Sequence, residues 1–104
     1  MRAGRIGRRT RLRPEAVAAY KEWHTKVWPE LHELDKAAGV RNFSIYIDGN
    51  DLFAYCEVDD VDAVLPTVND NEVLTKWLQL MAPFMDAPDP MRPWVELEEI
   101  FHQD

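Results

Sequence analysis

The stretch FSIYIDGNDLFAYCEV, residues 43–58, limits the fold more than any other part of the chain. Two alternating runs flank Gly49-Asn50, and successive strand residues point to opposite faces of a sheet. A two-residue loop with glycine first suits a type II′ hairpin turn. That turn sets Ile47 opposite Leu52, Ile45 opposite Ala54 and Phe43 opposite Cys56. The other face then carries Ser44, Tyr46, Phe53 and Tyr55. Both faces are largely apolar or aromatic, so the sheet needs cover on both sides. Helices can cover one. The face with Tyr46, Phe53 and Tyr55 is expected to meet a second copy of the chain, giving a homodimer.

The flanking sequence supplies the rest of a unit. Residues 3–12 read as a strand, with Ile6, Arg8, Thr10 and Leu12 on one face. Pro14 suits a first helical turn. Val17, Tyr20, His24, Val27, Leu31, Leu34 and Ala38 then recur at helical spacing, and Gly39 is placed to end that helix. After the hairpin comes an Asp-rich loop over 59–68 that ends near Pro66. Asn69 or Asp70 is expected to cap a second helix, whose core stripe is Val73 or Leu74, Trp77, Leu80 or Met81, and Phe84. Pro83 ends or kinks it. The loop DAPDPMRP precedes a final strand over 94–102, with Val95, Leu97 and Phe101 on one side. The order βαββαβ is the ferredoxin-like arrangement, an α+β fold in a single domain spanning 1–104.

Charge narrows the partners. A net charge of −7 argues against nucleic acid, since phosphate binding needs a basic face. Six of the twelve basic residues nevertheless precede Pro14, where no acid lies. In the ferredoxin-like order the first strand lies beside the last, so the arginines would face the Glu-rich segment ELEE and pair with it. No apolar run approaches the ~20 residues that span a bilayer, and no secretory leader is evident. The single Cys56 has no internal disulfide partner. A cytoplasmic setting is therefore expected, with no membrane association.

The chemistry concentrates in YKEWHTKVWPEL, residues 20–31, which places a Tyr, a His and two Trp within nine positions. Tyr20 and His24 lie one turn apart on the apolar stripe, and Trp28 a turn further. A His and a Tyr on such a stripe are either hydrogen-bonded core residues or the wall of a pocket. Pro29 forces Trp28 out of helical geometry, so the helix kinks or restarts just past His24, or Pro29 begins a second short helix. His24 and His32 are eight residues apart, too far for a one-turn ligand pair, and no HxxxH or CxxC occurs, so no metal site is expected. His102 reads as a surface or hydrogen-bonded residue, and Cys56 as a small core residue.

The block Y-x-x-x-H-x-x-x-W-P-E-L, with FSIYID, LFAYCEV, EVLTKWLQLM and LEEIFH following in order, resembles the L-rhamnose mutarotase family over almost the whole chain. The resemblance implies a dimeric α+β barrel built on the ferredoxin-like unit. It implies interconversion of the α and β anomers of a deoxysugar without metal or redox cofactor. It places the proton donor at His24 and a sugar-contacting tyrosine at Tyr20, with Trp28, Phe43 and Trp77 as further substrate-binding positions. Four departures concern the sugar-reading wall. Phe43 stands where the family has Tyr, Leu78 follows Trp77 where the family has paired tryptophans, an aromatic residue near Leu80 is absent, and APDPMRP replaces NPDNSP. A wall that has lost a hydroxyl reads a different pattern of sugar hydroxyls. L-fucose or another sugar is then an alternative substrate to L-rhamnose. Two further alternatives are a different enzyme on the same scaffold, such as an oxygenase, and a ligand-binding module without turnover.

Overall fold

The computed structural model describes residues 4–61 and 71–104. Strand β1 (Gly4–Arg11) leads through a 3-10 turn into α1 (Val17–Trp23), then α2 (Pro29–Ala37). Strands β2 (Val40–Asp48) and β3 (Asp51–Val58) form the hairpin. Helix α3 (Glu72–Met81) ends in a 3-10 turn, and β4 (Val95–Leu97) closes the sheet. The strand order is β2-β3-β1-β4 with every neighbour antiparallel, which is the expected ferredoxin-like topology.

The helices cover one sheet face. Leu52, Ala54, Cys56 and Val58 alternate along β3 and are all buried beneath them. Leu12, Tyr20, Leu31, Leu52, Trp77, Met81 and Met85 form the main core. Fully burying a side chain such as Leu12 or Leu52 contributes about 1.5–3 kcal/mol. A smaller cluster joins Cys56 and Val58 to Ile6, Ala38, Val40 and Val61. Thr10, buried among these apolar neighbours, donates its hydroxyl to the Pro93 carbonyl at 2.7 Å and so ties the proline loop to β1.

The hairpin register follows the turn. Gly49 takes φ +64 and Asn50 stays at negative φ, as a type II′ turn requires. Ile47 faces Leu52 and Ile45 faces Ala54. Asn50 also grips the chain after β1: its carbonyl accepts from the Leu12 N–H and its side chain donates to the Leu12 carbonyl, both at 2.8 Å. Gly39, at φ +78, ends α2 as expected.

The first helix divides in two at Pro29, as the proline implied, and three other expectations need correction. Trp28 is extended (φ −60, ψ 134), and Pro29 opens α2, where its missing N–H is no loss. The pairing of Phe43 with Cys56 gives way to a bulge: Arg41 faces Glu57, Ser44 faces Tyr55, and Asn42 and Phe43 share the space opposite Cys56. Asn42 sits at φ +51, a conformation that asparagine tolerates, and its amide donates to Glu57 at 3.1 Å. The cap of α3 is Asn71, whose side chain accepts from the Leu74 N–H at 3.0 Å; Asn69, Asp70 and Pro66 lie outside the described residues. Finally, β4 stops at Leu97 instead of running to 102. Glu98 and Glu99 are poor strand formers, and Ile100 and Phe101 stay largely exposed.

The arginine-rich first strand does meet the acidic last one. Arg8 lies opposite Glu96 in the ladder, and Arg5 forms a two-point contact with Glu99 at 2.7 and 3.1 Å. Arg11 pairs with Asp51 at 2.8 Å on the other side. These ion pairs are exposed, so each adds little to stability.

Candidate active site

The break between α1 and α2 shapes the site. Helix α1 ends at Trp23 and His24 takes the cap position. The His24 N–H is shared between the carbonyls of Tyr20 at 3.2 Å and Lys21 at 3.1 Å. The ring turns back to the same turn, and Nδ1 lies 2.8 Å from the Tyr20 carbonyl oxygen. A carbonyl only accepts, so Nδ1 carries the hydrogen. In the neutral ring the lone pair is then on Nε2, which has no hydrogen-bond partner among the described residues.

Aromatic side chains fix the imidazole from two directions. Tyr20 stacks on it with ring centroids 4.1 Å apart and planes at 28°. Trp77, reaching over from α3, meets it edge-on at 5.5 Å and 80°. Trp28 also packs edge-on against Trp77, at 5.2 Å and 77°. The structure brings four of the expected site residues into one neighbourhood: Tyr20, His24, Trp28 and Trp77. Phe43 is not in this ring group; it sits on the β2 bulge, 46% exposed.

Tyr20 is buried, and its phenol makes no hydrogen bond to a described residue. Burial pushes the phenol well above its ordinary titration range, so it remains protonated at neutral pH. It can donate or relay a proton but cannot serve as a resting phenolate base.

Trp23 is the aromatic neighbour that periodicity missed. It lies off the apolar stripe, yet its ring meets Trp77 edge-on at 6.0 Å and 88°. Only the density of aromatic residues in the segment hinted at its part.

The other histidines and the cysteine stand apart. His32 is exposed on α2, and His102 contacts Asp104 at 2.7 Å near the chain end. Cys56 is a buried free thiol whose titration is pushed up by burial. Among the described residues, no three His, Cys, Asp or Glu side chains converge to hold a metal ion. Two recesses of about 340 and 440 Å³ open on the uncovered sheet face, around Arg5 and Tyr55. Neither is lined by Tyr20 or His24, and the polar groups of the first are already engaged: Arg41 with Asp59, Tyr55 with Glu57, His102 with Asp104.

A family model described as L-rhamnose mutarotase matches residues 5–103. An L-rhamnose mutarotase of Listeria monocytogenes is 38% identical over 94 residues, covering 88% of this chain and 89% of the relative. One from Formosa agariphila is 37% identical over 103 residues, covering 96% and 98%. The crystal structure of an L-rhamnose mutarotase from Formosa agariphila superposes with a TM-score of 0.84 at 35% identity, covering 97% of this chain and 99% of that one. In sequence and in fold, the chain belongs to the L-rhamnose mutarotase family.

Proposed function

We propose that the protein interconverts the α and β anomers of L-rhamnose or a closely related deoxyhexose, with His24 as general acid and base. The observation that carries this reading is the bond from Nδ1 to the Tyr20 carbonyl, which leaves Nε2 as the one ring nitrogen free to exchange a proton. An imidazole changes charge within the neutral range more readily than other side chains. In the imidazolium form, Nε2–H gives its proton to the sugar ring oxygen as the C1–O5 bond breaks, the bonding pair staying on that oxygen. The C1 hydroxyl loses its proton and becomes the carbonyl of the open aldehyde. The Tyr20 phenol, held protonated, orients that oxygen or relays the proton to water. Rotation about C1–C2 presents the opposite face. Neutral Nε2 then takes the proton back from the attacking hydroxyl as the ring closes, and C1 regains its hydroxyl hydrogen.

Trp28, half-buried beside the site, would offer an apolar face to the C–H surface of the sugar, and Trp77, buried in the core, backs it, in the manner of a mostly apolar pocket with few polar anchors. Phe43 would contribute from the β2 bulge, without a hydroxyl of its own. The uncovered sheet face supports a homodimer closing a dimeric α+β barrel. Tyr46 is 63% exposed and Phe53 41% on that face, with Val95 and Leu97 beside them. Paired apolar side chains of this size are rarely left in water over a contiguous area. We place the enzyme in the cytoplasm; no helix among the described residues is long and apolar enough to cross a membrane.

The test is magnetisation-transfer NMR of anomer exchange at trace protein, across L-rhamnose, L-fucose, D-galactose and D-ribose, with His24→Ala alongside. Faster exchange of one sugar, abolished by the substitution, is the expected result. Exchange that survives the substitution would remove His24 from the mechanism. No acceleration of any sugar would favour a binding module. Sedimentation equilibrium of the wild type and of Tyr46→Lys tests the dimer.

A further inference from the structure

Trp23 has no place in the chemistry described so far, yet it is built into the site. It is the last residue of α1, it is half-buried, and its ring lies edge-on to Trp77 at 6.0 Å and 88°. The Lys26 ammonium lies over the same ring, 5.6 Å from its centroid. Trp77 thus receives three edge-on neighbours: Trp23, His24 and Trp28, at angles of 88°, 80° and 77°. Trp23 and Trp28 bracket the non-helical stretch that holds His24, one on each side. Past His24 the main chain is held by i→i−3 turn bonds, from Thr25 N to Glu22 O at 3.1 Å and from Lys26 N to Trp23 O at 3.2 Å, in place of a continuing helical ladder. Ring packing therefore has more influence on the His24 imidazole than it would inside a regular helix.

We infer that Trp23 is a positioning residue for His24, acting through Trp77. The inference rests on the reading of His24 as the acid and base. With Trp23 in place, Trp77 has neighbours on several sides, and its contact with the imidazole is held while Nδ1 stays on the Tyr20 carbonyl. Without that ring edge, Trp77 gains room to tilt, the contact with His24 loosens, and Nε2 loses its fixed direction. Trp23 is not given a contact to the sugar, so its loss should slow turnover without weakening binding.

The experiment compares Trp23→Leu, which keeps apolar bulk without a ring edge, with Trp23→Phe, which keeps an edge. Misplacing a reacting group by about 1 Å can cost on the order of 100-fold, so kcat of Trp23→Leu is expected to fall roughly 10- to 100-fold. KM should stay within about threefold, as expected when an interaction serves the transition state rather than binding. Trp23→Phe should recover most of the rate. Ring ¹⁵N spectra supply a readout independent of turnover: wild type should show the Nδ1–H form of neutral His24, and Trp23→Leu a mixture of both tautomers. A wild-type kcat in folded Trp23→Leu with one tautomer retained would overturn the inference, as would equal rates for the Leu and Phe variants. If wild-type protein accelerates no sugar, the acid/base reading fails, but the ¹⁵N spectra still decide whether Trp23 holds His24.

Discussion

His24→Asn separates the two nitrogens of the imidazole. The asparagine amide can occupy the place of Nδ1 and donate to the Tyr20 carbonyl, a bond of 2.8 Å in the wild type. It has no atom at Nε2. His24→Ala removes both. In the alanine variant, loss of that hydrogen bond costs about 0.5–1.5 kcal/mol. Loss of the stacked pair with Tyr20 costs about the same again, giving roughly 1–3 kcal/mol in all. The asparagine variant should lose only the stacking part, roughly 0.5–1.5 kcal/mol. At about 4–8 °C per kcal/mol for a chain of this size, a melting curve can distinguish them. Turnover should not distinguish them. Both lack the acid and base, a contribution of roughly 10²–10⁴ in rate. Thermal denaturation followed by circular dichroism gives the first quantity and anomer exchange the second. An asparagine variant as unstable as the alanine variant would refute the role given to Nδ1. One that turns over like wild type would refute the role given to Nε2.

Other outcomes follow from single contacts. Asn71→Ala removes the side-chain cap of α3 and should lower stability by about 1 kcal/mol in urea without changing the m-value. Asp35 is held above its ordinary range, chiefly by burial, with His32 and Arg8 opposing. Its folded-state pKa exceeds its unfolded one, so stability should increase as pH falls through that folded value, and the charged carboxylate weakens the fold above it. Asp35→Asn should therefore be at least as stable as wild type at pH 7, with a smaller difference in acid; a clear loss at pH 7 would count against this account. Cys56 is buried with its thiol pushed up. It should label with a thiol reagent at the rate of unfolding, and prompt labelling of native protein would contradict its placement.

The parts of the fold legible in the sequence are those where one local rule acts alone. The alternation around Gly49-Asn50 gave the hairpin register, and Pro29 gave the extended Trp28. The bulge was hidden because Asn42 does what a glycine usually signals, so alternation seemed to run through Phe43. The end of β4 was hidden because its apolar residues continue past the ladder: Ile100 and Phe101 look like strand residues but stand largely exposed. The site was legible in kind, since Tyr20, His24 and Trp28 share one stripe. The meeting with Trp77 was not, because it depends on where α3 crosses the break, and no spacing encodes a crossing. Trp23 was missed for the same reason.

The strand order has a consequence for the growing chain. Strand β1 lies between β3 and β4, yet it is made first and its outer neighbour last. During synthesis the hairpin can seal one side of β1 while the other waits for residues 95–97. An unpaired edge in that interval invites pairing with a neighbouring nascent chain. Arg5, Arg8, Arg9 and Arg11 stud that strand, so two such edges would repel each other. The basic strand that pairs with the acidic last one also guards the assembly of its own sheet until that strand arrives.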